Sequence, residues 1–199
     1  MSAEKIRNPS AEDIATAAKA ATKGRGLPPV HLWNPPFCGD LDIRITRDGT
    51  WFYLGTPIGR FNLVKLFSSI LRKDGEKYFL VTPVEKVGIV VDDAPFIAID
   101  FTVTGSDKDQ VLCFETNVGD YVKASAEKPI RFNFDERTKE PSPYILIRSD
   151  LEALIDRKSF YRLVNLGTQK KVNGENWFGV FSSGAFFPII PSKELEDVV

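Results

Sequence analysis

The sequence predicts an α+β protein built from two related halves, each a small, mostly antiparallel sheet with a helix. Three observations predict it. A helix–turn–strand passage occurs twice, about 100 residues apart. Short segments of alternating apolar and polar residues read as half-buried strands. Asp-Gly, Asn-Gly and proline clusters punctuate them as turns.

The first element opens at Ser10-Ala11-Glu12-Asp13, where Ser10 suits an N-cap and the acidic residues suit the helix dipole. An alanine-rich run carries the helix to about Thr22, and Gly24, Gly26, Pro28 and Pro29 stop it. Few of its residues are large and apolar, so it is expected to be peripheral. DIRITR (42–47) alternates, Asp48-Gly49 turns, and TWFYL returns as a hairpin. GTPIG is a loop, and the spacing then predicts an amphipathic helix over 60–73. Asn62, Lys65, Ser69 and Arg72 mark its polar face, and Phe61, Val64, Phe67 and Leu71 its apolar one. Strands are expected over 78–81 and 87–91, with Thr82-Pro83-Val84-Glu85-Lys86 between them.

From Phe96, residues Ile97, Ile99, Phe101 and Val103 alternate with Asp100, Thr102 and Thr104. This strand, 110–116 and IRFNF (130–134) are expected to form an antiparallel meander. Beyond a charged, proline-bearing loop (135–143), a strand is expected over 144–148. A short helical or extended piece follows from Ser149-Asp150. A helix is then expected over 159–166, a turn at Asn173-Gly174, and strands over 176–181 and 185–190.

The repeat aligns FNLVKLFSS from Phe61 with FYRLVNLGT from Phe160, and DGEKYFLV (74–81) with NGENWFGV (173–180). ILIRSDL near Ile145 also echoes IRITRDG near Ile43. Two copies of one unit bury complementary faces and leave a seam. The boundaries that follow are an N-terminal helix and linker (1–26), a first repeat domain (27–92), a second (93–191) and a tail (192–199).

HLWNPPFCGDLDIRITRDGTWFYLGTPIGR, the helix after it, YFLVTPVEK and VDDAPF together resemble an uncharacterised bacterial family, domain of unknown function 1285. The resemblance spans roughly residues 27 to 191. It implies a duplicated α+β core whose C-terminal half is superficially similar to pleckstrin-homology domains. It further implies a nucleotide-like ligand at the domain interface and a role in signal transduction.

Composition narrows the partners. Lys and Arg total 26 against 27 Asp and Glu, and no like-charge run exceeds two residues. That balance gives duplex DNA, RNA or an anionic membrane no electrostatic encouragement. With 43% apolar residues and fifteen Phe, the chain has ample material for a core. No stretch approaches the roughly twenty apolar residues needed to span a bilayer, and the N-terminus has no signal-peptide core. Two cysteines far apart fit reduced thiols, so a cytoplasmic protein is expected.

HLWNPPFCGDLD concentrates His31, Cys38, Asp40 and Asp42, yet one histidine and scattered cysteines match no zinc spacing. No metal and no cofactor are expected, and no phosphate-binding glycine motif or nucleophile elbow occurs. The stretch reads as mainly structural. The favoured site is a ligand-binding group in the first half. Arg44 and Arg60 suit a phosphate or carboxylate through their guanidinium forks, and Trp33 or Trp51 suits stacking on a base. Thr82, Glu85 and Lys86 suit its polar edges, and Asp40 lies near a strand end. The leading expectation is a non-catalytic sensor or regulatory protein clasping a small anionic, nucleotide-like ligand between its halves. The alternatives are a small enzyme using Cys38 with Asp40 or Asp42, and a module that docks a protein partner on its C-terminal sheet.

Overall fold

The computed structural model describes residues 10–22 and 26–195. The chain divides into two units, Met1–Pro95 and Phe96–Val199. The fold is α+β and mostly sheet. Residues 1–9, Gly24 and the end of the tail lie outside the described residues.

The first unit opens with helix α1 (Ala11–Ala21), where Ser10 caps it by accepting from the Asp13 N–H. The expectation of a peripheral helix needs correction. Ile14 and Ala18 are fully buried, and α1 packs on the second helix of the unit. Ala11, Ile14 and Ala18, at i, i+3 and i+7, form the buried stripe, and its two alanines let the helices approach closely.

A 3-10 turn (Val30–Leu32) leads into β1 (Phe37–Ile45), so half of the His31–Asp42 stretch is already strand. β1 pairs antiparallel with β2 (Trp51–Tyr53), and β3 (Thr56–Pro57) adds a two-residue edge. Helix α2 (Phe61–Ser69) follows, then β4 (Leu71–Asp74), β5 (Lys77–Val81) and β6 (Lys86–Val91). β6 returns to pair parallel with β1, giving the sheet order β3-β2-β1-β6-β5-β4.

The helix expected over 60–73 therefore ends four residues early. Ser68 and Ser69 turn their hydroxyls back onto the Lys65 and Leu66 carbonyls, a local bond that competes with further helix. Gly75, at φ +60°, then closes the β4–β5 hairpin and draws Leu71 to Asp74 into the ladder. Leu71, Leu80 and Val87 lie in one cross-strand row on the inner face and are almost fully buried. Trp51 stacks on Phe67 of α2 at 6.3 Å between ring centroids, both rings inside this core.

The second unit contains β7 (Phe96–Thr104), β8 (Val111–Thr116), β9 (Tyr121–Lys123), β10 (Ile130–Phe134), β11 (Pro141–Arg148) and β12 (Leu151–Ile155). Their order is β10-β11-β12-β7-β8-β9, with β12 and β7 parallel. The expected meander of 96–104, 110–116 and 130–134 is thus wrong in its third member. The tight turn at Thr116–Gly119, with Gly119 at φ +80°, folds β9 onto β8, and β10 crosses to the far edge. The alternation along β7 is also interrupted. A bulge between Ala98 and Asp100 leaves Ile99 exposed, while Phe101 stays buried against Phe114.

Helix α3 (Arg157–Val164), capped by Asp156, leads to a three-stranded sheet of β13 (Thr168–Val172), β14 (Glu175–Ser182) and β15 (Ala185–Pro191). The final turn, α4, is Ser192–Leu195. Helix, two-residue hairpin and returning strand thus follow one another in both units: α2-β4-β5-β6 in the first and α3-β13-β14-β15 in the second. In the first, the returning strand joins the opening hairpin's own sheet. In the second, β10 pairs with β11 instead, and β13 to β15 form a separate sheet.

Candidate functional site

Cross-strand register places the eight expected ligand residues in four different settings. Asp40, Gly88, Phe79 and Arg72 form one row across the outer face of the first sheet. Arg44 and Lys86 share that face. Trp33 covers its end by packing against Val30, Phe79 and Val81. Trp51 faces the opposite way, into the core, 2% exposed. Thr82 and Glu85 sit in the β5–β6 turn, and Arg60 immediately precedes α2.

Most of these groups are already engaged. Arg44 donates from Nε and Nη2 to the two oxygens of Asp92 at 2.8 and 2.9 Å. Those bonds hold its guanidinium above the ordinary range. Lys86 donates from Nζ to Asp74 at 2.7 Å and lies 3.9 Å from the centre of the Phe79 ring. Arg72 also bonds Asp74 and reaches the Trp33 carbonyl at 2.7 Å. Burial pushes the Asp74 carboxyl up, but the bonds and charges of Arg72 and Lys86 outweigh it and hold the group low. Arg44, Arg72 and Lys86 on the outer face are therefore each matched by a carboxylate.

Thr82 is fully buried, and its hydroxyl accepts from the Val84 and Glu85 N–H groups while donating to the Glu85 carbonyl. It fastens a turn. Glu85 is pushed above its usual range by burial and by Asp13 of α1. Trp51 is a core ring, so neither it nor Thr82 is available to a ligand. The Asp40 carboxylate lies over Gly88, where a Cβ would come within 2.1 Å of its oxygen. Cys38 is half-buried, with its thiol 3.5 Å from the Pro36 carbonyl, and His31 stands exposed on the 3-10 turn. Among the described residues no three His, Cys, Asp or Glu side chains gather to hold a metal ion.

Arg60 is different. It occupies the N-cap of α2 without a side-chain capping bond, and among the described residues its guanidinium has no carboxylate partner. It lines a cavity of about 430 Å³ between α1, the β2–β3 segment and the start of α2. Glu12, Thr16 and Lys19 supply the α1 wall, Tyr53 and Thr56 face it from the strands, and Leu63 and Phe67 add apolar surface. A second hollow of about 370 Å³ adjoins it, again lined by Lys19, Arg60 and Leu63. That size lies within the usual span of small-molecule pockets, which is about 300–1,000 Å³. Sequence reasoning found Arg60 and missed the rest. The available signal was Glu12, Thr16 and Lys19 at i, i+4 and i+7, a polar stripe beside the buried Ile14 and Ala18.

An α+β chain of two sheet-rich units, the first with an open pocket beside α1, is the class these features define. Residues 28–94 match the N-terminal domain of domain of unknown function 1285, and residues 95–189 match its C-terminal domain. The chain belongs to this family. The crystal structure of a DUF1285 family protein from Silicibacter pomeroyi DSS-3 is 56% identical, with a TM-score of 0.83 over 92% of this chain and 97% of that one. A DUF1285 family protein from Shewanella baltica OS155 is 30% identical, with a TM-score of 0.49 over 63% of this chain and 91% of that one. No curated protein matches the chain. Among the described residues, no helix is long and apolar enough to cross a membrane.

Proposed function

We propose that the chain is a cytoplasmic, non-catalytic binding protein that senses a small anionic ligand, with nucleotide-like compounds within that class, and acts in signal transduction. One observation carries the reading. Arg60 and Lys19 converge on a pocket with no carboxylate partner among the described residues, while Arg44, Arg72 and Lys86 are each bound to one. A desolvated anion between two such cations gains charge-assisted hydrogen bonds that the free side chains make only to water. All lining residues belong to the first unit. The same wall is built by α1, so an occupied pocket ties α1 to α2 and changes how firmly the N-terminal helix is held. We also read the two halves as copies of one ancestral unit, on the strength of their shared helix–hairpin–strand order, and the second as pleckstrin-homology-like, as the family resemblance implies.

The test is a melting-temperature screen against inorganic phosphate, nucleotides and small carboxylates. A ligand at one hundred times its dissociation constant stabilises the fold by about 2.7 kcal/mol. Arg60→Ala removes that gain while leaving the unliganded melting temperature near its original value. A flat screen across the whole set overturns the reading.

A further inference from the structure

The pocket at α1 is charged at both ends. Glu12 and Lys19 lie on the same helix, both line the cavity, and they are seven residues apart. At about 1.5 Å rise per residue their backbones are about 10 Å apart along the axis. Arg60 belongs to the Lys19 end, since both also line the adjoining hollow that Glu12 does not reach. Thr16, between them on α1, also lines the cavity, with its hydroxyl donated to the Glu12 carbonyl. Among the described residues the Glu12 carboxylate has no cation partner. A purely anionic ligand filling this space would place part of its charge near that carboxylate. A ligand with a positive end would not.

From this we infer that the ligand is a short zwitterion whose charges are several bonds apart, such as an ω-amino acid or a dipeptide. Its anionic group faces Arg60 and Lys19, and its ammonium faces Glu12. This rests on the anion-binding reading above for the group at Arg60 and Lys19, and replaces its nucleotide-like member with a net-neutral one. An α-amino acid carries its two charges too close together to reach both ends.

The experiment compares 6-aminohexanoate and glycylglycine with hexanoate and N-acetylglycine, which keep the carboxylate and lack the ammonium. Binding is read by calorimetry on the full chain. The expected result is at least about tenfold tighter binding of each zwitterion than of its partner, the loss expected for one charge-assisted contact. Glu12→Gln should abolish that discrimination by weakening the zwitterions, without weakening hexanoate. Arg60→Ala should weaken all four. If hexanoate and 6-aminohexanoate bind alike, and Glu12→Gln changes neither, the zwitterion inference falls while anion binding stands. If none of the four binds, and the anion screen is flat as well, both fall.

Discussion

Arg44 grips Asp92 through two parallel hydrogen bonds, and in doing so ties β1 to the segment just after the parallel strand β6. A guanidinium held in this way has its Nε–Nη2 edge occupied and its charge matched by a carboxylate, so an anion there meets the charge of Asp92. Arg44→Ala should therefore leave the affinity for any anion found in the screen unchanged, whereas Arg60→Ala should weaken it about tenfold or more, the scale of a lost charge-assisted bond. Equal losses for the two variants would show that both arginines contact the ligand.

Thr82 offers a test of a buried hydroxyl. Its oxygen, inside a fully buried residue, serves two N–H groups of the β5–β6 turn. Thr82→Val keeps the shape and removes the acceptor, so chemical denaturation should show a loss of about 1–3 kcal/mol. Thr82→Ser should recover most of it.

Two glycines predict unequal responses to the same added methyl group. At Gly88 the obstacle is the carboxylate oxygen of Asp40, the free end of an exposed side chain that can swing aside. At Gly179 it is the Phe187 carbonyl of the neighbouring strand, at 2.3 Å. Gly179→Ala should cost about 3 kcal/mol or more, and Gly88→Ala less than about 1 kcal/mol, by urea titration.

Two carboxyls give pH dependences of opposite sign. Asp74 titrates lower in the folded chain than when unfolded, so its contribution is complete above about pH 4 and is lost as pH falls through the folded value. The melting temperatures of wild type and Asp74→Asn should converge on acidification. Glu85 titrates higher when folded, so it destabilises progressively as pH rises above about 4.3, and fully above its folded value. Glu85→Gln should melt higher than wild type at neutral pH and lose that advantage below pH of about 4.

Local chemistry was legible in the sequence and pairings across distance were not. The Ser10 cap, the Asn173-Gly174 hairpin and the repeated helix–hairpin–strand order follow from short-range rules, and the structure has all three. The end of α2 was misread because Leu71 and Arg72 continue the helical spacing, and only the hairpin beyond them overrules it. The missing β9 is three residues long, too brief for alternation to register. The candidate site suffered in the same way. Arg44 and Asp92 are 48 residues apart, Lys86 and Asp74 twelve, and no pattern in the chain announces that they meet. Arg60 escaped such a match, and its companions came from a helix whose alanines made it look incidental.

In the first unit the parallel pairing of β1 with β6 carries a consequence for how the protein is made. The β1–β2 hairpin emerges from the ribosome ahead of β6, so one side of β1 stays open until Val91 has been synthesised some forty residues later. For that interval an unpaired strand bearing Leu41, Ile43 and Ile45 is exposed to any other nascent chain. Helix α2 and the β4–β5 hairpin, made in between, are the segments placed to shield it.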